Sequence, residues 1–343
     1  MRPSLLEYLI CPPCGTGLDL ISRESHGDQI MEGGLRCGLC GKEYPIVRGV
    51  PRFAGSRGGD RTATAFGWQW KHFREMGGHH ERQFLDWIAP AGRASFRDRV
   101  VLEGGCGKGR HTVLAARYGA RAVIGLDLSE AVDVAFDNTR EQPAAHIIQA
   151  DMLSLPVSPG ICDYVFSVGV LHHLPEPREG FLSLSRALRP GGAISIWVYG
   201  AENNRWIARV VSPVRRAVTS RMPPPVLYGV SFILSRPLWV LLKTLYRPAR
   251  SRWPARLQSR LFYRGYLSYI SGFPLREIHS IVHDHLGAPV AHYLCRGEVE
   301  TWYRLVDARD VTIAWHNENS WRGHGRPERP GLGDEARAGG GGP

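Results

Sequence analysis

The sequence lacks any long uninterrupted hydrophobic run. Its most apolar stretch, Val226–Leu245, is divided by Arg236-Pro237 into pieces too short to span a bilayer. It lacks the pattern of a secretory leader, because Glu7 interrupts the short apolar stretch Leu5–Ile10 and two cysteines follow in place of a cleavage site. It also lacks an even cysteine count. Seven are present, at positions 11, 14, 37, 40, 106, 162 and 295. An odd number containing two CxxC pairs argues against a disulfide framework and for metal binding in a reducing compartment, so a cytoplasmic protein is expected. No internal repeat is visible. Acidic residues are nearly missing from one segment: residues 201–265 hold thirteen Arg and Lys against Glu202 alone, a net +12 in a chain whose total is +11. Charge of one sign gathered in one place points to an anionic partner surface.

What is present divides into units. Residues 1–54 form the first and end at the Gly- and Arg-rich stretch Gly55–Asp60, a linker signal. Residues 55–98 carry that linker and an aromatic segment, Phe66–Phe73, read as a helix. From Arg99 short apolar strands (near 99–103, 121–126, 145–149, 161–167 and 192–198) alternate with helices (near 109–118, 129–140 and 178–188). Alternation at this spacing implies a parallel sheet covered on both faces. Residues 99–200 and 266–320 are assigned to this core, with a helix at 296–306 and a strand at 310–315. The basic segment 201–265 is read as a helical insert forming an acceptor lid, and 323–343 as a disordered tail.

Cys11-Pro12-Pro13-Cys14 and Cys37-Gly38-Leu39-Cys40 are two knuckles, each able to present two thiolates to one ion. Four thiolates close a tetrahedral zinc site with no open position, so the metal would hold the fold; iron or a redox dithiol are the alternatives. The flanking residues Leu5–Ile10, Leu35-Arg36 and Tyr44–Pro51 make this unit resemble the small zinc-ribbon activator subunit of tRNA, rRNA and release-factor methyltransferases. The resemblance implies a domain that docks on a methyltransferase.

Val100–Gly109 is an apolar strand running into a glycine loop, with the spacing E-x-G-x-G-x-G from Glu103. A dinucleotide fingerprint would require glycine at position 110, where the sequence has Arg. Asp127 ends the second strand, where its two oxygens can accept hydrogen bonds from ribose hydroxyls, and Asp151 follows the third. With Asp163–Ser167 and Leu188–Gly192, these features resemble the class I S-adenosylmethionine-dependent methyltransferases. The resemblance implies a Rossmann-like, seven-stranded, mostly parallel sheet. It also implies S-adenosylmethionine as cofactor, held by Glu103, Gly105, Gly107, Asp127, Asp151 and Met152, with Phe66–Phe73 lying over it.

Methyl transfer needs a base only if the acceptor must lose a proton. His172 and His173, after the fourth strand, are the candidates, and His283-Asp284-His285 is a second cluster. The Asn/Asp-Pro-Pro-aromatic tetrapeptide of release-factor and adenine-N6 methyltransferases is replaced here by Ser167-Val168-Gly169-Val170. Val168–Pro177 instead resembles methyltransferases of quinone and other small-molecule pathways. The expectation is therefore methylation of a small or lipid-like acceptor, with peripheral attachment to an anionic membrane through the basic insert and its tryptophans. A tRNA or rRNA methyltransferase is the second reading, and a non-catalytic cofactor-binding scaffold the third.

Overall fold

A computed structural model describes residues 1–54, 60–247 and 260–329. Arg250, Arg252, Trp253 and Arg256 of the basic segment, most of the linker, and positions 330–343 lie outside the described residues.

The first unit is a four-stranded antiparallel sheet in the order β1 (Leu18–His26), β2 (Gln29–Cys37), β3 (Glu43–Val47), β4 (Val50–Pro51), preceded by a 3-10 turn at Pro3–Tyr8. It does not have a core of its own. Leu5, Leu9, Leu35, Tyr44 and Ile46 are buried in one apolar cluster with Val100, Ile124, Ile148 and Val157 of the larger domain. The backbone continues the contact: Arg52 forms a parallel bridge with Gln149, and Phe53 N–H donates to the Gln149 carbonyl at 2.8 Å. The exposed edge of the large sheet is thereby covered, which removes a site of unwanted strand pairing.

The large domain is a seven-stranded sheet made of β5 (Val100–Gly104), β6 (Ala122–Asp127), β7 (Ala145–Gln149), β8 (Cys162–Val168), β9 (Leu188–Tyr199), β10 (Arg309–His316) and β11 (Ser320–Arg326). Their spatial order is β10-β11-β9-β8-β5-β6-β7, with only β11 antiparallel to its neighbours. The central strands are continuous apolar runs because helices cover both faces. Strand order reverses between β5 and β8, and the carboxyl ends there open a crevice, the expected place for a ligand in such a sheet. The intervening helices are α1 (Arg61–His72), α2 (His79–Trp87), α3 (Arg110–Arg117), α4 (Ala131–Thr139) and α5 (Pro177–Arg186). Asp60 caps α1 by accepting from Thr62 N–H and Ala63 N–H.

Beyond β9 lie α6 (Ser212–Ala217), α7 (Pro224–Leu241), α8 (Arg264–Ile270), α9 (Leu275–Gly287) and α10 (Arg296–Leu305). Three expectations are corrected in this part of the chain. First, Arg236-Pro237 does not break α7. The helix runs through Pro237 and continues into wider turns to Tyr246, so Pro224–Tyr246 is long and apolar enough to cross a membrane by length and composition, with mean hydropathy 1.5. Second, the tail does not start at Gly323. Residues 320–326 are a strand inside the sheet, because Gly323 lets the Tyr303 ring of α10 lie against the backbone, where a Cβ would come within 2.7 Å. Third, the basic segment is not uniformly a surface. Arg205, Arg209, Arg216, Arg221, Arg236, Arg260 and Arg264 are exposed, but Arg215 is buried and Lys243 Nζ donates inward to the carbonyls of Ser271 and Phe273.

Candidate functional site

A cavity of about 230 Å³ occupies the crevice. Its floor is the glycine loop Gly105–Lys108 after β5, Leu126–Ser129 after β6, Ala150–Met152 after β7, and Val168–Val170 with His173 after β8. Trp197 and Tyr199 of β9 form one wall. The helix α1 covers it with Thr62, Ala63, Phe66, Gln69 and Trp70. The rest of the roof comes from Tyr266, Tyr269 and Ile270 of α8 and Glu277, Ser280, Ile281, Asp284 and His285 of α9. Among the described residues none of those lining the cavity falls within 201–265, and this part of the roof lies just beyond the segment expected to form it.

The loop geometry fits an adenosyl ligand lying close to the backbone. Gly107 has φ +52°, and a Cβ there would meet Trp70 Nε1 at 2.9 Å. Its N–H donates to Asp127 Oδ2 at 2.8 Å, while Asp127 Oδ1 accepts from Ser129 N–H at 2.8 Å and Ser129 Oγ at 2.6 Å. These bonds fix the carboxylate at the end of β6 and counter the rise in its pKa that burial causes. A carboxylate has about four acceptor sites, so it retains capacity for ligand hydroxyls. Asp151 Oδ1 accepts from Leu153 N–H at 2.9 Å, and Asp151 and Met152 both line the cavity. Gly105 lines it as well.

Glu103 does not. It is 1% exposed beneath the loop, where its carboxyl accepts from Thr112 Oγ1 and lies 3.3 Å from His111 Nδ1. Burial pushes its pKa up to about 8. The expected contact between Glu103 and the cofactor's amino group is therefore corrected: the buried side chain ties β5 to α3 through Thr112 and is not among the residues lining the cavity.

The two histidines after β8 also part company. His173 lines the cavity and its Nδ1 lies 2.7 Å from the Val290 carbonyl. A carbonyl can only accept, so Nδ1 carries the proton and Nε2 carries the lone pair. Burial lowers its pKa, keeping the ring neutral. His172 is fully buried against Tyr199, with ring centroids 3.9 Å apart, and is absent from the lining. Its expected role at the reacting centre is corrected for that reason. In the second cluster, Asp284 and His285 reach the cavity and His283 does not; Tyr199 Oη donates to Asp284 Oδ2 at 3.0 Å.

Sequence reading missed Tyr199, Tyr266, Tyr269 and Glu277, and it used Arg110 only to argue against a dinucleotide. Burial pushes Glu277 upward, yet His79, His80 and Arg110 together hold it far below the usual carboxylate range. His79, His80 and Glu277 are clustered closely enough to suggest a metal. Hydrogen bonding argues otherwise: His80 Nδ1 accepts from Gly77 N–H at 3.0 Å, so Nε2 bears the proton and donates to Glu277 Oε2 at 3.3 Å. That nitrogen has no lone pair to offer an ion.

The four cysteines of the first unit are different. Their sulfurs lie within 4.8 Å of one another, with Cys11 and Cys40 at 3.8 Å. Zn–S bonds of about 2.3 Å require tetrahedral S–S edges of about 3.8 Å. Gly15 N–H donates to the Cys11 carbonyl and Gly41 N–H to the Cys37 carbonyl, closing each knuckle. The cluster is compatible with a zinc ribbon, and none of its cysteines lines the cavity.

Comparison with known proteins agrees with this division. The family described as Methyltransferase domain matches residues 102–196, and the family described as Trm112p-like protein matches residues 2–49. A tRNA U34 carboxymethyltransferase of Cellvibrio japonicus is 36% identical over 105 residues, 29% of this chain and 33% of that protein. One from Hahella chejuensis is 32% identical over 165 residues, 45% of this chain and 49% of that protein. The chain thus spans about a third to a half of the length of these curated relatives. A solved complex between the Haloferax volcanii Trm112 methyltransferase activator and a methyltransferase aligns with TM-score 0.33 and 21% identity, over 42% of this chain and 66% of that one. The relatives' names overturn the expected small or lipid-like acceptor and the expected anionic membrane partner, since both relatives are named for tRNA. The glycine loop of the cavity lies in the residues matched by the methyltransferase-domain family and the four cysteines in those matched by the Trm112p-like family, so the chain carries a methyltransferase domain with a Trm112p-like domain N-terminal to it.

Proposed function

We propose that this protein transfers a methyl group from S-adenosylmethionine to tRNA. The observation that carries the acceptor is the similarity of the methyltransferase part to tRNA U34 carboxymethyltransferases. The exposed arginines between 205 and 264 support it, because clustered basic side chains suit a phosphate backbone. A tRNA acceptor also agrees with the expected cytoplasmic location; peripheral membrane attachment has no such support.

Bound S-adenosylmethionine supplies an electrophilic methyl group on a sulfonium. Asp127 and Asp151 would hold its adenosine, with Gly105 and Gly107 bringing the loop backbone close. Phe66 and Trp70 of α1 cover the cavity and exclude water, which favours aligned reactants. His173 Nε2 would take a proton from the acceptor where one must be lost, its ring oriented by the bond from Nδ1 to the Val290 carbonyl. Cys11, Cys14, Cys37 and Cys40 would hold one structural zinc ion that keeps the ribbon docked on β7.

The test is transfer of tritiated methyl from S-adenosylmethionine to purified tRNA. Incorporation into a nuclease-sensitive product is expected, together with tRNA affinity that falls as salt rises. Absence of both tRNA labelling and salt-dependent tRNA binding in protein that binds the cofactor would refute the acceptor.

A further inference from the structure

Most charged side chains lining the cavity already have hydrogen-bond partners. Lys108 Nζ donates to the carbonyls of Phe73 and Glu75 at 2.9 and 2.8 Å. Asp127 is engaged by Gly107 and Ser129, and Asp151 by Leu153. Arg110 is the exception. It starts α3 directly after the glycine loop, and the rings of Trp70 and Trp87 flank its guanidinium with centroids at 5.8 and 5.7 Å. Among the described residues it makes no hydrogen bond, and its anionic neighbour, Glu277 Oε1, stands at 3.7 Å, an ion-pair distance too long for a hydrogen bond. Glu277 Oε2 is occupied by His80 and Oε1 is the oxygen nearest Arg110, and both residues line the cavity. A guanidinium and a carboxylate stand side by side, neither with its full set of partners.

An α-amino acid carries the complementary pair of charges on adjacent atoms. With Glu103 sealed under the loop, the ammonium of such a group needs another anion near the glycines, and Glu277 is there. We propose that Arg110 and Glu277 form the subsite for the amino-acid end of S-adenosylmethionine, the guanidinium holding the carboxylate and the glutamate the ammonium. Planar Arg–carboxylate pairing is strong and directional, and the two indoles keep the guanidinium in one orientation. Because Arg110 opens α3 of the core and Glu277 belongs to α9 of the roof, the ligand's charged end links the two. The proposal rests on S-adenosylmethionine being the cofactor.

The experiment compares ligands that differ only at that end. Calorimetric titration of the wild-type protein should show S-adenosylhomocysteine binding at least about tenfold tighter than 5′-methylthioadenosine, which has the adenosine and sulfur without the amino acid. Arg110→Met and Glu277→Gln should each lose about tenfold or more for S-adenosylhomocysteine and stay within about twofold for methylthioadenosine. Equal weakening of both ligands would assign the pair a purely structural role, and unchanged S-adenosylhomocysteine affinity would overturn the subsite. Where a variant fails to fold, the wild type decides with decarboxylated S-adenosylmethionine: affinity equal to that for S-adenosylmethionine refutes the role of Arg110. Failure of the wild type to bind any adenosyl ligand is a different result, which fells the cofactor reading and this subsite with it.

Discussion

Replacing Arg52 with alanine should loosen the ribbon from the methyltransferase domain, and the size of the effect can be worked from its partners. Arg52 Nη2 donates to Asp133 Oδ1 at 2.5 Å and to the Val47 carbonyl at 3.3 Å, and Nη1 donates to Gln149 Oε1 at 2.9 Å. The pair is largely buried, with 13% and 17% of the two side chains exposed. Removing one member of a buried pair costs about 3–5 kcal/mol when the other is left alone. Asp133 is not left alone, because Arg48 also pairs with it, although that arginine is 64% exposed and contributes about 0–1 kcal/mol. The expected loss is therefore about 2–3 kcal/mol, near the value of a hydrogen bond to a charged group. Burial raises the Asp133 pKa, but the bonds from Arg52 and Arg48 outweigh it and the net shift is downward. A depressed folded-state carboxyl stabilises above its unfolded pKa, so the penalty is whole at pH 7 and shrinks only as pH falls below about 4. Urea unfolding of the wild type, Arg52→Ala, Asp133→Ala and the double variant gives the coupling directly. A coupling below about 0.5 kcal/mol would refute the reasoning.

Three further outcomes are expected. Glu103→Gln removes a carboxyl whose folded pKa is raised to about 8. A raised acid stabilises below its unfolded pKa and loses that contribution as pH climbs through the folded value, so the variant should flatten the wild-type decline in stability between about pH 5 and 9; an identical slope would show that Glu103 is not buried as described. His172→Phe should keep turnover within about tenfold while His173→Phe loses about 10²-fold or more, because only His173 faces the cavity; equal losses in kcat would return His172 to the reacting centre. Purified protein should carry one zinc per chain by elemental analysis, and Cys37→Ala with Cys40→Ala should carry none; unchanged metal content would exclude the ribbon site.

The alternating core was legible in the sequence because each strand is an apolar run ended by a glycine or aspartate, and each intervening helix has one apolar face. The positions expected for the strands from 99 to 167 fall within a residue or so of β5 to β8. β11 was illegible. Ser320–Arg326 contains two glycines, two arginines and a histidine, and reads as a tail until Tyr303 is placed against its backbone. Asp127, Asp151 and the glycines declared themselves through local spacing at strand ends. Glu277 could not, since α9 meets the glycine loop only through tertiary packing some 170 residues along the chain. Glu103 misled for the opposite reason: its spacing is right, but the pleat turns its side chain below the loop and toward Thr112.

The parallel bridge between Arg52 and Gln149 joins two domains of one polypeptide. In an assembly of separate subunits such a contact competes with dissociation, and its occupancy falls on dilution. Here the partner is tethered, at an effective concentration on the order of millimolar for a short connection. Stoichiometry is fixed at one to one at synthesis, and neither excess nor shortage of one half can arise. An interface weakened by 2–3 kcal/mol would reopen only transiently, so activity per molecule should be the same at nanomolar as at micromolar protein, and the contact can tolerate substitutions that would separate two free chains.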